Sequence, residues 1–331
     1  MPFKTRVPLF LHGQRSEFSN HTPIWTRHLV LSLGVPQLTV TSVSILFNSA
    51  VILAIACSKD MHKPIFILFC NLAIADLLSS SSSLWIAILF ITNPQSTVDG
   101  SKALLLAYTS YTMSILATIY NLVSIGFERY LVVTESLKSR YWVTRNQTLI
   151  VVLGIWMPAV FLGFMPLMGW NCLDAAKSSV LYSPLCNDYL IFITIPHGTL
   201  AIILPFFTYF KIIIFLRKQK TTMGALGQPF GTYRLAELQV ARMSIFIWSL
   251  ALLSYAPFFV GVILDSTSQQ SPENLPAGIY VFRNLTAMMI TMNSLGNPIV
   301  YTLKVKKLGH RLRLLKCPSN NRIEVYAIGK I

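Results

Sequence analysis

Residues 76–85 read DLLSSSSSLW, a carboxylate followed by a run of hydroxyls, inside a stretch from Pro64 to Ile91 that is otherwise almost wholly apolar. About 20 helical residues suffice to cross the hydrocarbon of a bilayer, and this stretch is longer. A charged side chain at that depth costs about 2.5 kcal/mol or more. Asp76 must therefore face protein rather than lipid. Ser79, Ser80 and Ser83 follow it at helical spacing and are expected to share its face, offering hydroxyls to the carboxylate, to water or to a carbonyl one turn back. Ser81 and Ser82 are expected to point elsewhere and to let neighbouring helices approach closely.

The rest of the chain has the same character. Of its 331 residues 53% are hydrophobic and 12% charged, about half the charged share of a soluble domain. Seven apolar runs stand out, at about 36–57, 64–91, 102–133, 146–167, 188–216, 238–264 and 277–303. Backbone groups in hydrocarbon must be satisfied within their own segment, so each run is read as a helix. The expected fold is an all-α membrane bundle of seven transmembrane helices over 36–303. Residues 1–35 read as an extracellular tail, 304–317 as a short amphipathic helix, and 318–331 as a cytoplasmic tail.

The net charge of +15 raises the question of nucleic acid, but its distribution points to a membrane. Of the 27 Lys and Arg, 20 fall on one side of the spans and 7 on the other. This asymmetry marks the basic side as cytoplasmic and the N-terminus as outside, in a multi-pass protein of the plasma membrane. Asn20 then lies in a glycosylation sequon on the outer side. Cys172 and Cys186 share one outer loop, either as a disulfide or as two free thiols. Cys317 ends the basic amphipathic stretch, as a palmitoylation site or a free thiol. The six histidines are scattered, and no enzyme constellation, repeat or transporter-like symmetry is present.

Polar residues inside other spans supply partners for Asp76. Asn48, Thr118, Asn293 and Asn297 complete an oxygen-rich set suited to a sodium ion or a proton. No other metal and no cofactor is expected.

These residues also carry a family. Asn48, LAIAD (72–76), ERY (128–130), Trp156, Pro257 and NPIVY (297–301) come in order, one to a span except the fifth. The set resembles the rhodopsin-like G-protein-coupled receptors from about Pro36 to Cys317. Within them, an outer loop holding both Cys172 and Cys186, and Leu104 where most members have a cysteine, resemble the lysophospholipid, sphingosine phosphate and cannabinoid receptor group. The resemblance implies a receptor for an extracellular or membrane-derived lipid (a lysolipid, fatty amide or similar) that activates a heterotrimeric G protein. It also implies a disulfide that closes the loop over an outer cavity. Other classes remain as alternatives: the same fold with a non-lipid ligand, activity without ligand, or a transporter or channel.

Site residues follow from the resemblance and from their chemistry. Glu128, Arg129 and Tyr130 end the third span. Arg129 is expected to pair with Glu237 across to the sixth, and to be released to a G protein with Tyr209 and Tyr301 packed against it. Tyr255 stands where the family has a tryptophan, beside the hinge at Pro257, and Pro298 bends the seventh span. For the ligand, Tyr108, Tyr111, Thr112, Ile115, Phe258 and Met288 form a mainly apolar set suited to an acyl chain. Arg283 is the cation placed to meet a carboxylate or phosphate, unless it snorkels to the interface. The tail beyond Cys317 is poor in Ser and Thr, so arrestin binding is expected to be weak.

Overall fold

The computed structural model describes residues 25–58, 61, 63–134, 144–173, 178–225, 232–267 and 277–304. Seven long helices and one single turn make up most of them. They are α1 (Arg27–Ala56), α2 (Pro64–Thr92), the turn α3 (Ser96–Asp99), α4 (Lys102–Thr134), α5 (Arg145–Phe164), α6 (Asn187–Ala225), α7 (Thr232–Thr267) and α8 (Ala277–Lys304). The seven long helices correspond to the seven expected spans.

Local chemistry sets the helix ends. Thr26 caps α1 by accepting from the Leu29 N–H at 3.3 Å. Pro64 opens α2, at a position where its missing N–H costs nothing. Thr144 and Gln147 cap one another as a box at the start of α5. After the 3-10 turn Met165–Met168, Gly169 takes φ +117°, a region that favours glycine.

Three edges differ from expectation. α1 begins at Arg27, within the stretch read as tail, because Thr26 caps it and Pro36 is accommodated inside the helix. α6 runs to Ala225 and α7 starts at Thr232, so the described residues between the expected fifth and sixth spans continue those helices. The continuation to 317 with Cys317, the tail beyond it, and Asn20 all lie outside the described residues.

α4 occupies the centre, against α2, α5, α6 and α7, while α8 packs on α1, α2 and α7. Gly163 lets α5 close on α4: a Cβ there would sit 2.9 Å from the Met113 Cα. Among the described residues six helices are long and apolar enough to cross a membrane, namely α1, α2, α4, α5, α6 and α7. α8 is more polar because its inward face carries Arg283, Thr291, Asn293, Ser294 and Asn297, all buried. Its outward residues, Leu285, Met289, Met292 and Ile299, are exposed and apolar, like Leu153, Phe206, Phe210 and Leu253 elsewhere. That surface suits lipid rather than water.

Candidate functional site

At the end of the bundle that carries the loop after α5, a cavity opens between α2, α4, α7, α8 and that loop. Tyr108, Tyr111, Thr112, Ile115, Phe258 and Arg283 all line it, as the sequence suggested. Met288 does not: α8 turns Arg283, Ala287 and Ile290 inward at helical spacing, which leaves Met288 to one side. Lining residues that the sequence did not single out include Phe90, Thr97, Tyr182, Leu185 and Asn284.

The loop forms the cover. Cys172 and Cys186 are bonded, with Cα atoms 5.1 Å apart, so the disulfide alternative is the one found. The closed loop buries Leu181, Tyr182 and Leu185, and the Tyr182 ring meets Phe258 at 5.3 Å and Tyr108 at 6.4 Å, edge to face. Burial pushes the Tyr182 phenol well above its ordinary value, so it stays neutral. Leu104 is fully buried in the same cluster as Cys172 and Cys186, so an apolar contact stands where most of the superfamily has a tether. Asp265 of α7, which the sequence gave no reason to select, supplies a polar one. Its carboxylate accepts from the Ser179 hydroxyl and from the Val180 N–H at 3.3 Å.

Arg283 holds the cover from α8. Its guanidinium donates to the Thr97 carbonyl at 2.6 Å, the Thr97 hydroxyl at 3.0 Å and the Leu181 carbonyl at 3.4 Å. It is 5% exposed and lies 5.6 Å from the Tyr280 ring centroid. The side chain therefore points into the bundle rather than snorkelling. Among the described residues no carboxylate forms an ion pair with it, and Asp99 and Asp265 are the carboxylates that share its surroundings.

Below the cavity lies the polar core. Asp76 is fully buried and accepts from the Asn297 amide at 2.8 Å. The serines behave differently from expectation. Ser80 bonds Ser44 of α1 at 2.7 Å, and Ser83 bonds Thr291 of α8 at 2.9 Å. Ser82 is buried too, turned back to the Leu78 carbonyl. α2 is enclosed by α1, α4 and α8, so its hydroxyls stitch helices together instead of solvating the carboxylate. Asp76 Oδ1, Ser79 Oγ, Thr118 Oγ1, Asn293 Oδ1 and Asn297 Oδ1 remain buried without a partner. One carboxylate among neutral oxygens is a donor set for a hard monovalent cation, and the residues fit sodium. Tyr255 lies beside Thr118 and Asn293, between this core and Phe258 in the cavity wall.

Two prolines free carbonyls that side chains then take up. Pro298 removes the partner of the Ser294 carbonyl, which accepts from Asn48 at 3.0 Å. Pro205 likewise frees the Ala201 carbonyl, and the Trp248 indole of α7 donates to it at 2.9 Å. Trp156 donates to Asn71, which donates in turn to Asn121, and so ties α5, α2 and α4.

At the end of the bundle opposite the cavity, Arg129 and Glu128, both buried, form a two-pronged ion pair through Nε and Nη2. Tyr209 is buried in one cluster with Val133 and Ala241, joining α4, α6 and α7. Lys211 lies 5.9 Å from the Tyr130 ring centroid. The side chains of Glu237 and Tyr301 lie outside the described residues, and with them the expected Arg129–Glu237 lock.

Comparisons with known proteins agree with this geometry. The model of the 7 transmembrane receptor (rhodopsin family) matches residues 47–301. Lysophosphatidic acid receptor 2 of Homo sapiens is 26% identical over 95% of this chain and 87% of its own length. Lysophosphatidic acid receptor 1-A of Xenopus laevis is 25% identical over 87% of this chain and 76% of its own. The crystal structure of squid rhodopsin shares the fold, with a TM-score of 0.70 at 19% identity, covering 91% of this chain and 92% of that one. The chain belongs to the rhodopsin family of seven-transmembrane receptors, and is a multi-pass membrane receptor rather than an enzyme.

Proposed function

We propose that this receptor binds a single-chain lipid with an anionic head in its outer cavity and converts that binding into activation of a heterotrimeric G protein at its inner end. One observation carries the ligand class: Arg283, buried in the wall of a largely apolar cavity with no carboxylate of the described residues paired to it. A buried charge calls for a counter-ion, and a lipid phosphate or carboxylate supplies one while its chain fills the space among Ile115, Phe258 and Ile290. The curated relatives named as lysophosphatidic acid receptors favour the same class. The orientation proposed is N-terminus outside, at the plasma membrane, which puts the Cys172–Cys186 disulfide in an oxidising compartment. A second-messenger screen of cells expressing the full chain tests the ligand class. Lysophosphatidates and fatty acids are expected to act at lower concentration than monoglycerides of the same chain. Equal potency of charged and neutral heads would contradict the assignment.

The inner end opens, on this reading, by movement of α7 away from α4 and α6. The Trp248–Ala201 bond opposes that movement, because breaking it strands a carbonyl in an apolar setting. Such bonds average about 0.6 kcal/mol in membrane bundles, roughly a threefold change in an equilibrium. Trp248→Phe is therefore expected to raise ligand-independent signalling about threefold at matched surface expression. In a Pro205→Ala background, where α6 satisfies its own carbonyl, the same change should have little effect. Equal increases in both backgrounds would mean that ring packing, not the bond, matters.

Sodium belongs to the same proposal. Asp76, with the oxygens of Ser79, Thr118 and Asn297, would hold the ion, whose charge would favour the closed arrangement of the core. Basal nucleotide exchange is expected to fall as sodium replaces choline for the natural chain and to stay flat for Asp76→Asn. A sodium response that survives Asp76→Asn would refute it.

A further inference from the structure

Gln37, Ser83 and Thr291 form a closed hydrogen-bonded ring from α1, α2 and α8. The Gln37 amide nitrogen donates to the Ser83 hydroxyl and to the Thr291 hydroxyl, the latter at 3.0 Å. Ser83 and Thr291 lie 2.9 Å apart, and Thr291 donates its own proton to the Ala287 carbonyl at 3.0 Å. Counting protons fixes the rest. Because the Thr291 hydrogen is committed to Ala287, Ser83 must be the donor in the Ser83–Thr291 bond, and Thr291 accepts twice and is saturated. Ser83 gives one bond and accepts one, which leaves it a single free lone pair. Ser83 lines the cavity.

Two further groups beside the ring are unsatisfied. Gln37 Oε1 is buried without a partner, behind the residues that line the cavity. The Tyr111 hydroxyl also has none, although it sits beside Thr291 on a residue that is 7% exposed and lines the cavity. Toward the cavity, ring and tyrosine thus offer one acceptor at Ser83 and one donor at Tyr111. A carboxylate, a phosphate or an ester brings only acceptors and leaves the Ser83 oxygen unmatched. What matches is a group that both gives and accepts one hydrogen bond. On α8, Thr291 lies eight residues inward of Arg283, about 12 Å along the axis, so the matching group lies below the anionic head.

We infer that the Ser83–Gln37–Thr291 ring and Tyr111 form a second polar subsite, which takes a donor–acceptor group between the lipid's anionic head and its chain, a secondary amide above all. The N–H meets the free lone pair of Ser83, and the carbonyl accepts from Tyr111. This rests on the lipid reading given above and narrows it to an amide-linked acyl chain. A ligand hydroxyl below the head would supply the same chemistry from another source.

Three probes decide it, each read by second-messenger response of cells expressing the full chain: oleoyl ethanolamide phosphate, the matching oleoyl glycol ester phosphate, and oleoyl glycerol phosphate. The first two differ by one N–H. The amide is expected to act at about one-tenth the concentration of the ester, and Ser83→Ala should reduce that ratio to about one. Tyr111→Phe should weaken both about equally and leave the ratio in place, since both carry the carbonyl. If the glycerol compound shows the tenfold advantage instead, and Ser83→Ala removes it, the subsite stands with a hydroxyl as its occupant. Equal potency of all three on the natural chain, or a ratio that survives Ser83→Ala, overturns the subsite and leaves the lipid receptor intact. Failure of all three to act overturns the lipid reading and the subsite with it.

Discussion

Replacing Arg129 by alanine is expected to reduce G-protein activation to background, while Glu128→Gln should raise signalling without ligand. The opposite signs follow from one ion pair. Glu128 holds the guanidinium by both its oxygens in a buried setting. Removing one partner of such a pair leaves the other charge buried and unmatched, at a cost of about 3–5 kcal/mol. In Arg129→Ala the group proposed to contact the G protein is gone, and the stranded Glu128 carboxylate also lowers the amount of folded receptor. Glu128→Gln keeps the arginine, weakens the two-pronged pair and frees the guanidinium to reach outward. Nucleotide exchange, normalised to surface expression, reads both. Signalling by Arg129→Ala near the natural level, or a fall in Glu128→Gln, would show that this pair does not control the inner end.

The second large effect is at the other end. Arg283→Ala should weaken anionic lipids about 10- to 100-fold, the range set by roughly 1.5–3 kcal/mol for hydrogen bonds to a charged group. Monoglycerides of the same chain should change little. Arg283→Lys keeps the charge but loses the planar fork that reaches Thr97 and Leu181 together, so an intermediate loss is expected. Concentration–response curves for matched charged and neutral lipids separate a lost counter-ion from a disturbed cover. If Arg283→Ala weakens both kinds equally, the arginine serves only to hold the loop.

Much of this was legible in the sequence because hydrocarbon is a demanding solvent. It forces long apolar runs, and those runs gave the seven helices with most edges within a few residues. It also makes a buried Asp76 conspicuous and requires that it face inward, as it does. What the sequence could not supply was the identity of partners on other helices. Ser79, Ser80 and Ser83 were correctly placed in the interior, but Ser80 and Ser83 bond α1 and α8 rather than the carboxylate, a matter of helix rotation that one chain's spacing does not fix. Met288 was misplaced for the same reason. The bond from Trp248 to the Ala201 carbonyl that Pro205 frees was not read from the sequence, because nothing in one chain's spacing says which side chain of another helix will answer it. Tyr182 belongs to a cover that Asp265 tethers from α7 and whose path is set by the disulfide and by contacts from α7 and α8, so their roles became visible only in three dimensions.

The account turns on one link: an anionic lipid held at Arg283 changes the state of Arg129 at the far end of α4. Nucleotide exchange by a heterotrimeric G protein, measured with the purified full chain in lipid nanodiscs, tests that link without other cellular receptors. Adding oleoyl lysophosphatidate is expected to speed exchange in the natural chain and to do so only weakly in Arg283→Ala, with neutral monooleoylglycerol the weaker ligand for both. Exchange that ignores the lipid, or responds to it identically with and without Arg283, would contradict the account.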